Sequence, residues 1–183
     1  MLEMVQVPIG SSSLPATLEQ ARRWYAVYTA SNREKRVEQH LRTKGVEVFL
    51  PLYTVTKRWK NRTRAKVDLP LFPGYLFVRI AVTERVRVLE VPNVVSIVGK
   101  GREPMPLSDL ELDVVRTGLR LGQVDPHPYL KVGNRARIRT GPFAGMEGIV
   151  LRKAGQLRVV ISIDCIMRSM AVHVNAEELE PCS

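Results

Sequence analysis

Aromatic side chains make up only 6% of this chain, and the groups that build catalytic or metal sites are just as scarce. Its three histidines, His40, His127 and His173, lie in three separate segments. No Cys-x-x-Cys, no HExxH and no phosphate-cradling glycine loop occurs. These absences argue against an enzyme, a metal site and a bound cofactor. The two cysteines, Cys165 and Cys182, form no disulfide framework, so a reducing cytoplasm is expected. No apolar run approaches the roughly 18 residues that a membrane span needs. The first 21 residues carry Glu3, no basic start and no long apolar core, unlike a signal peptide.

Acids are also missing where cations are densest. The net charge is +10. Residues 31–66 hold eleven Lys or Arg against three Glu, and "KRWKNRTRAK" (57–66) has six cations and no acid. One segment thus carries most of the excess charge. A solvated loop is one reading; a polyanion partner, most simply nucleic acid, is the other.

Patterning divides the chain. Residues 1–22, rich in Ser and Pro, read as a leader. "RWYAVYTA" (23–30) alternates like a strand. A helix is expected over 31–45, capped by Ser31 or Asn32, with Val37 and Leu41 inward and Gly45 as its stop. "VEVFLPLYTV" reads as a strand broken by Pro51, the basic stretch as a loop, and "YLFVRI" as a buried strand. "TERVRVLEVP" reads as a short helix, "NVVSIVG" as a strand, and 106–122 as a helix capped by Ser108 with Gly122 beyond it. Together, residues 23–122 suit an α+β sandwich. Residues 123–131, with two prolines, read as an extended linker. Residues 132–183 show short strands between glycines and suit a small barrel.

"LFPGYLF" is the unusual stretch. Pro73-Gly74 favours a type II turn, with Phe72 on one side and Tyr75 on the other. A turn there can lift two rings out of a sheet together. Aromatics give large contact area at low entropy cost, as interface anchors should. They can equally cover a core.

"RWYAVYTA", "FLPLY", "LFPGYLFVRI" and "VPNVVSIVG" resemble, in order and spacing, the N-terminal (NGN) domain of NusG-type transcription elongation factors. "VGNRARIRTGPFAGMEGIVLR" (132–152) resembles a KOW motif. The resemblance implies an NGN α/β sandwich, its antiparallel sheet flanked by helices, plus a small all-β, SH3-like KOW barrel. It implies a monomeric elongation and antitermination factor that grips the β′ clamp helices of bacterial RNA polymerase through Tyr28, Phe72, Pro73 and Tyr75. It places the start of the first helix near the non-template DNA strand, with Arg33, Arg36 and His40 on one face. Arg58, Lys60, Arg62 and Arg64 extend that cationic surface, and Trp59 either stacks on a base or packs beneath the loop. In RfaH, a paralogue that reads a DNA element, a His stands at the place of His40. Two further RfaH contacts align with Ala30, which cannot serve, and Asn93, which can.

In the KOW segment the implied partner surface is Phe143, Ile163, Cys165, Ile166 and Met167, facing a small-subunit ribosomal protein. Asp164 stands where NusG proteins carry Phe, which argues against Rho as a partner. "RSMAV" after this loop is similar to the UpxY-type specialised paralogues; a housekeeping NusG and a ribosome-associated KOW RNA-binding protein are the alternatives. "RVVISI" is dense in β-branched residues and Pro142 breaks helices, so a barrel is expected and not the α-hairpin of autoinhibited RfaH. A free barrel would leave the aromatic patch open.

Overall fold

The computed structural model describes residues 20–58, 64–129, 133–153 and 156–182. Lys60, Arg62 and Trp59 lie outside the described residues, as do residues 1–19 and the side chain of Arg58.

The N-terminal domain runs β1 (Arg23–Thr29), α1 (Glu34–Thr43), β2 (Glu47–Phe49), β3 (Leu52–Arg58), β4 (Arg64–Pro70), β5 (Tyr75–Ile80), α2 (Arg85–Leu89), β6 (Val94–Ile97), β7 (Gly99–Lys100), β8 (Glu103–Pro104), β9 (Pro106–Leu107) and α3 (Asp109–Leu121). The central strand is β1, antiparallel to β5 on one side and to β6 and β9 on the other, with β2 beyond β5. Period-2 alternation sends its side chains to opposite faces. Tyr25 and Val27 join the cluster under α1, with Val37, Leu41, Leu76 and Val78. Trp24 and Ala26 face the other way, toward Phe77 and toward Leu112 and Val115 of α3.

The capping signals divide. Ser108 caps α3 as expected: its Oγ accepts from Glu111 N–H at 3.2 Å, and Glu111 Oε2 accepts from Ser108 N–H at 2.9 Å. For α1 the expected cap by Ser31 or Asn32 is corrected. Arg33 is the N-cap residue, without a side-chain cap bond, and Asn32 sits at φ +60 in the approach turn. The reading of 57–66 as a loop is also corrected. Its two ends are strand, paired Lys57↔Ala65 and Arg58↔Arg64 in the β3–β4 hairpin.

The C-terminal domain is all β: β10 (Val124–His127), β11 (Arg135–Ile138), β12 (Glu147–Lys153), β13 (Gln156–Ile163), β14 (Arg168–His173) and β15 (Leu179–Pro181). They form one antiparallel sheet in the order β10-β14-β13-β12-β11-β15. The expected linker therefore carries an edge strand of this sheet. Pro126 is tolerated there because an edge strand has one side free of ladder bonds. Asp125 Oδ2 lies 3.1 Å from Arg158 Nη1 and 3.4 Å from His173 Nε2.

The two domains share one apolar cluster. Phe72, Phe77, Leu112 and Val115 from the first are buried together with Phe143, Ile163, Ile166 and Met170 from the second. No helix among the described residues is long and apolar enough to cross a membrane.

Candidate functional site

The turn at 72–75 forms as its residues dictate. Tyr75 N–H donates to Phe72 O at 3.0 Å, and Gly74 takes φ +84, a left-handed value that favours glycine. A Cβ on Gly74 would stand 3.1 Å from Cε2 of Tyr28. Tyr28 and Tyr75 face each other across β1 and β5, ring centroids 5.2 Å apart and tilted by 41°. Tyr28 is 40% exposed, Tyr75 is half-buried and Pro73 is exposed.

Phe72 is different. It was expected to stand out beside Tyr75, and it is 0% exposed. Its ring meets Phe77 edge-on at 6.2 Å, inside the cluster that both domains share. The expectation of an open patch is corrected with it. The C-terminal domain is β, as the sequence indicates, yet it is docked on this face. The Arg168 guanidinium lies 5.7 Å from the Tyr75 ring centroid, a cation–π distance. Gly118 of α3 makes the close approach possible: a Cβ there would meet Val124 Cγ1 at 2.2 Å and Phe143 Cε1 at 3.4 Å.

The barrel's own candidate surface faces the same contact. Ile163, Ile166 and Phe143 are buried, and only Met167, at the tip of a one-turn 3-10 helix (Asp164–Ile166), is well exposed, at 57%. Cys165 is half-buried in the shared cluster. Burial, helped by the charges of Glu111 and Asp164, pushes its thiol up to about 11. It is therefore a protonated thiol at neutral pH, poorly nucleophilic. Asp164 accepts from Tyr129 Oη at 3.0 Å.

The cationic residues gather around the start of α1. Arg33 and Arg36 are exposed with no ion-pair partner among the described residues, and His40 is half-exposed in the last turn. Backbone bonds tie Ala30 N–H to Asn93 O at 2.9 Å and Arg33 N–H to Ala30 O at 3.1 Å. Lys35 Nζ reaches Asp68 O of β4 at 2.9 Å, which ties the basic hairpin to the same helix. Asn93, Arg33, Arg36 and the hairpin that carries Arg64 are thus brought together.

Two residues that hold this region were not singled out in the sequence. Thr29 and Glu34 are buried polar groups, at 1% and 5% exposure, and both bond Gly74. The faint signal was an acid in the first turn of a helix otherwise crowded with cations.

A family model described as "Transcription termination factor nusG" matches residues 22–116, more than half of the chain. The transcription termination/antitermination protein NusG of Staphylococcus aureus (strain Mu50) is 31% identical over 177 residues, covering 87% of this chain and 96% of that protein. NusG of Buchnera aphidicola (subsp. Acyrthosiphon pisum, strain APS) is 28% identical over 176 residues, covering 88% and 97%. Among solved structures, one of Thermotoga maritima NusG, described as showing domain interaction, is similar at 25% identity. It gives a TM-score of 0.56 over 90% of this chain and 99% of that one. The chain belongs to the NusG family of transcription factors.

Proposed function

We propose that this protein is an elongation and antitermination factor that binds the β′ clamp helices of bacterial RNA polymerase in the cytoplasm, as a monomer without cofactor. NusG-family proteins act with RNA polymerase in transcription. The observation that carries the reading is the tyrosine pair on the sheet face, set by the Gly74 turn, with Tyr28 exposed and Tyr75 partly covered by the protein's own second domain. A face covered by a separable domain can be uncovered. Phe72 becomes part of the polymerase contact when the barrel leaves. Holding the clamp in its closed, active state depletes the paused state by population shift. The test is in vitro transcription on a template with a defined pause. Added protein is expected to shorten the pause; an unchanged pause lifetime would overturn the reading.

Arg33, Arg36, His40 and Asn93, with Arg58, Lys60, Arg62 and Arg64 of the basic segment, are assigned to the non-template strand. Counterion release makes such contacts steeply salt-dependent. Crosslinkers at Arg36 and Arg64 are expected to label non-template DNA in an elongation complex, with labelling that falls between 50 and 200 mM salt (roughly the range over which phosphate contacts weaken). Labelling of nascent RNA alone would overturn the assignment.

Met167 and the residues freed with it, Phe143, Ile163, Cys165 and Ile166, form the second partner surface, for a small-subunit ribosomal protein. The specialised-paralogue reading is supported by Asp164, which puts an exposed acid in a one-turn helix where a Phe tip would be needed for Rho. A housekeeping NusG would bind Rho; pulldown with the isolated termination factor separates the two.

A further inference from the structure

We infer that Glu34 is a positioning residue: it fixes the polymerase-facing aromatic turn and locks it to the DNA-facing helix. The inference rests on the polymerase reading above and deepens it.

Glu34 is the first residue of α1, yet its side chain turns inward, 5% exposed, among neighbours that are exposed cations. Its Oε1 accepts a hydrogen bond from Gly74 N–H at 2.8 Å. A buried N–H needs an acceptor, and an ionised one gives a stronger bond. The Gly74 carbonyl is also held, by Thr29 N–H at 2.8 Å and Thr29 Oγ1 at 3.3 Å. Gly74 is thus gripped on one side by the end of β1 and on the other by the start of α1. Tyr75 follows it directly, and Tyr28 packs against its Cα side. Ring placement on that face therefore depends on where Gly74 is held.

The other end of the lever is the helix. Arg33 and Arg36 flank Glu34 and point to solvent. A protein that touches a clamp and a DNA strand at once must keep the two contact sets at a fixed separation. One carboxylate–amide bond supplies that constraint here. Any acid at this position satisfies the favourable charge interaction of a helix start; only one long enough to reach Gly74 positions the turn.

The full-length chain is tested as Glu34→Ala, Glu34→Asp and Glu34→Gln. Exchange of the Gly74 amide is followed by NMR, polymerase affinity by titration, and thermal unfolding in parallel. In Glu34→Ala, Gly74 exchange is expected to rise at least about tenfold while the Leu41 amide keeps its parental protection, and polymerase affinity is expected to fall about tenfold. Glu34→Asp keeps the charge but loses the reach, so it should follow Glu34→Ala. Glu34→Gln keeps an acceptor oxygen at the same reach and should recover most of the affinity. Parental affinity in Glu34→Ala, or losses in all three variants that track the unfolding temperature alone, would overturn the inference. Tyr28→Ala/Tyr75→Ala serves as the control. If that pair binds polymerase like the parent, the polymerase reading itself fails; if it loses binding while Glu34→Ala does not, only the role of Glu34 fails.

Discussion

Tyr28→Ala combined with Tyr75→Ala is expected to weaken binding to RNA polymerase by at least about a hundredfold while leaving the protein folded. Interface aromatics at the centre of a contact commonly contribute about 2 kcal/mol or more each, and every 1.4 kcal/mol is about tenfold. Tyr28 is 40% exposed and Tyr75 half-buried, so neither truncation opens a sealed core. Phe72→Ala belongs in a separate experiment. That ring is fully buried against Phe77, and truncating a buried Phe costs about 3–5 kcal/mol of stability. Losing the Tyr75 ring also removes the seat of Arg168 and loosens the docked barrel, which by itself favours binding. A large net loss therefore identifies the tyrosines as anchors. Affinity equal to the parent, measured by titration against core polymerase, would remove them from the interface.

The second large effect is expected from Gly118→Leu. Gly118 lies within α3, where leucine is the better helix former by roughly 1 kcal/mol, so the helix itself gains. The new side chain, however, enters the space of Val124 and Phe143, which a single Cβ would already meet at 2.2 and 3.4 Å. Overpacking costs about 1–3 kcal/mol, enough to shift the docked-to-undocked ratio by about fivefold to about 150-fold. Cys165 should then react faster with a neutral-pH alkylating agent, read by peptide mass so that Cys182 is counted apart. Polymerase affinity should rise in step. Alkylation and affinity both at parental values would mean that the barrel does not leave when α3 is widened. The same geometry makes a reciprocal demand. Phe72 and Tyr75 on one domain, and Ile163 and Ile166 on the other, are covered by a single contact. A ligand that needs either covered surface selects the undocked form, so two ligands that take one surface each must raise each other's affinity by equal factors.

How legible this was depends on the range of the interaction. Ser108, three residues before Glu111, announced a helix start that local hydrogen bonds complete. The Pro73-Gly74 pair announced its turn for the same reason: φ is a property of the residue itself. The resemblance to the family then singled out Tyr28 and Tyr75, together with Phe72 and Pro73, as expected contacts. The burial of Phe72, Ile163 and Ile166 was not legible. Each sits in an apolar stretch that reads alike whether a second domain covers it or not. Strand β10 was hidden by Pro126 within it and Pro128 just after it, which mark a linker and an edge strand equally well. Glu34 reads as a charge-compensating acid at a helix start until the fold brings Gly74, forty residues away, to its carboxylate. The start of α1 differs from the expected cap because Asn32 supplies a left-handed turn residue and Arg33 takes the N-cap position.

The seam between the domains is very short. Helix α3 ends at Leu121 and β10 begins at Val124. Even Gln123 is stitched to the sheet, its carbonyl accepting from His173 N–H at 3.3 Å. Gly122 alone is left to turn, and one residue spans only about 3.5 Å. While β10 stays zipped, the barrel hangs from the first domain like a door on its frame and sweeps an arc. If β10 peels from β14, the same chain becomes a cord of about a dozen residues with a reach of roughly 40 Å. The two regimes differ in the concentration at which the barrel meets anything nearby, because a short leash confines the search to a small volume. With β10 paired, whatever the barrel carries stays at a set range from the first domain.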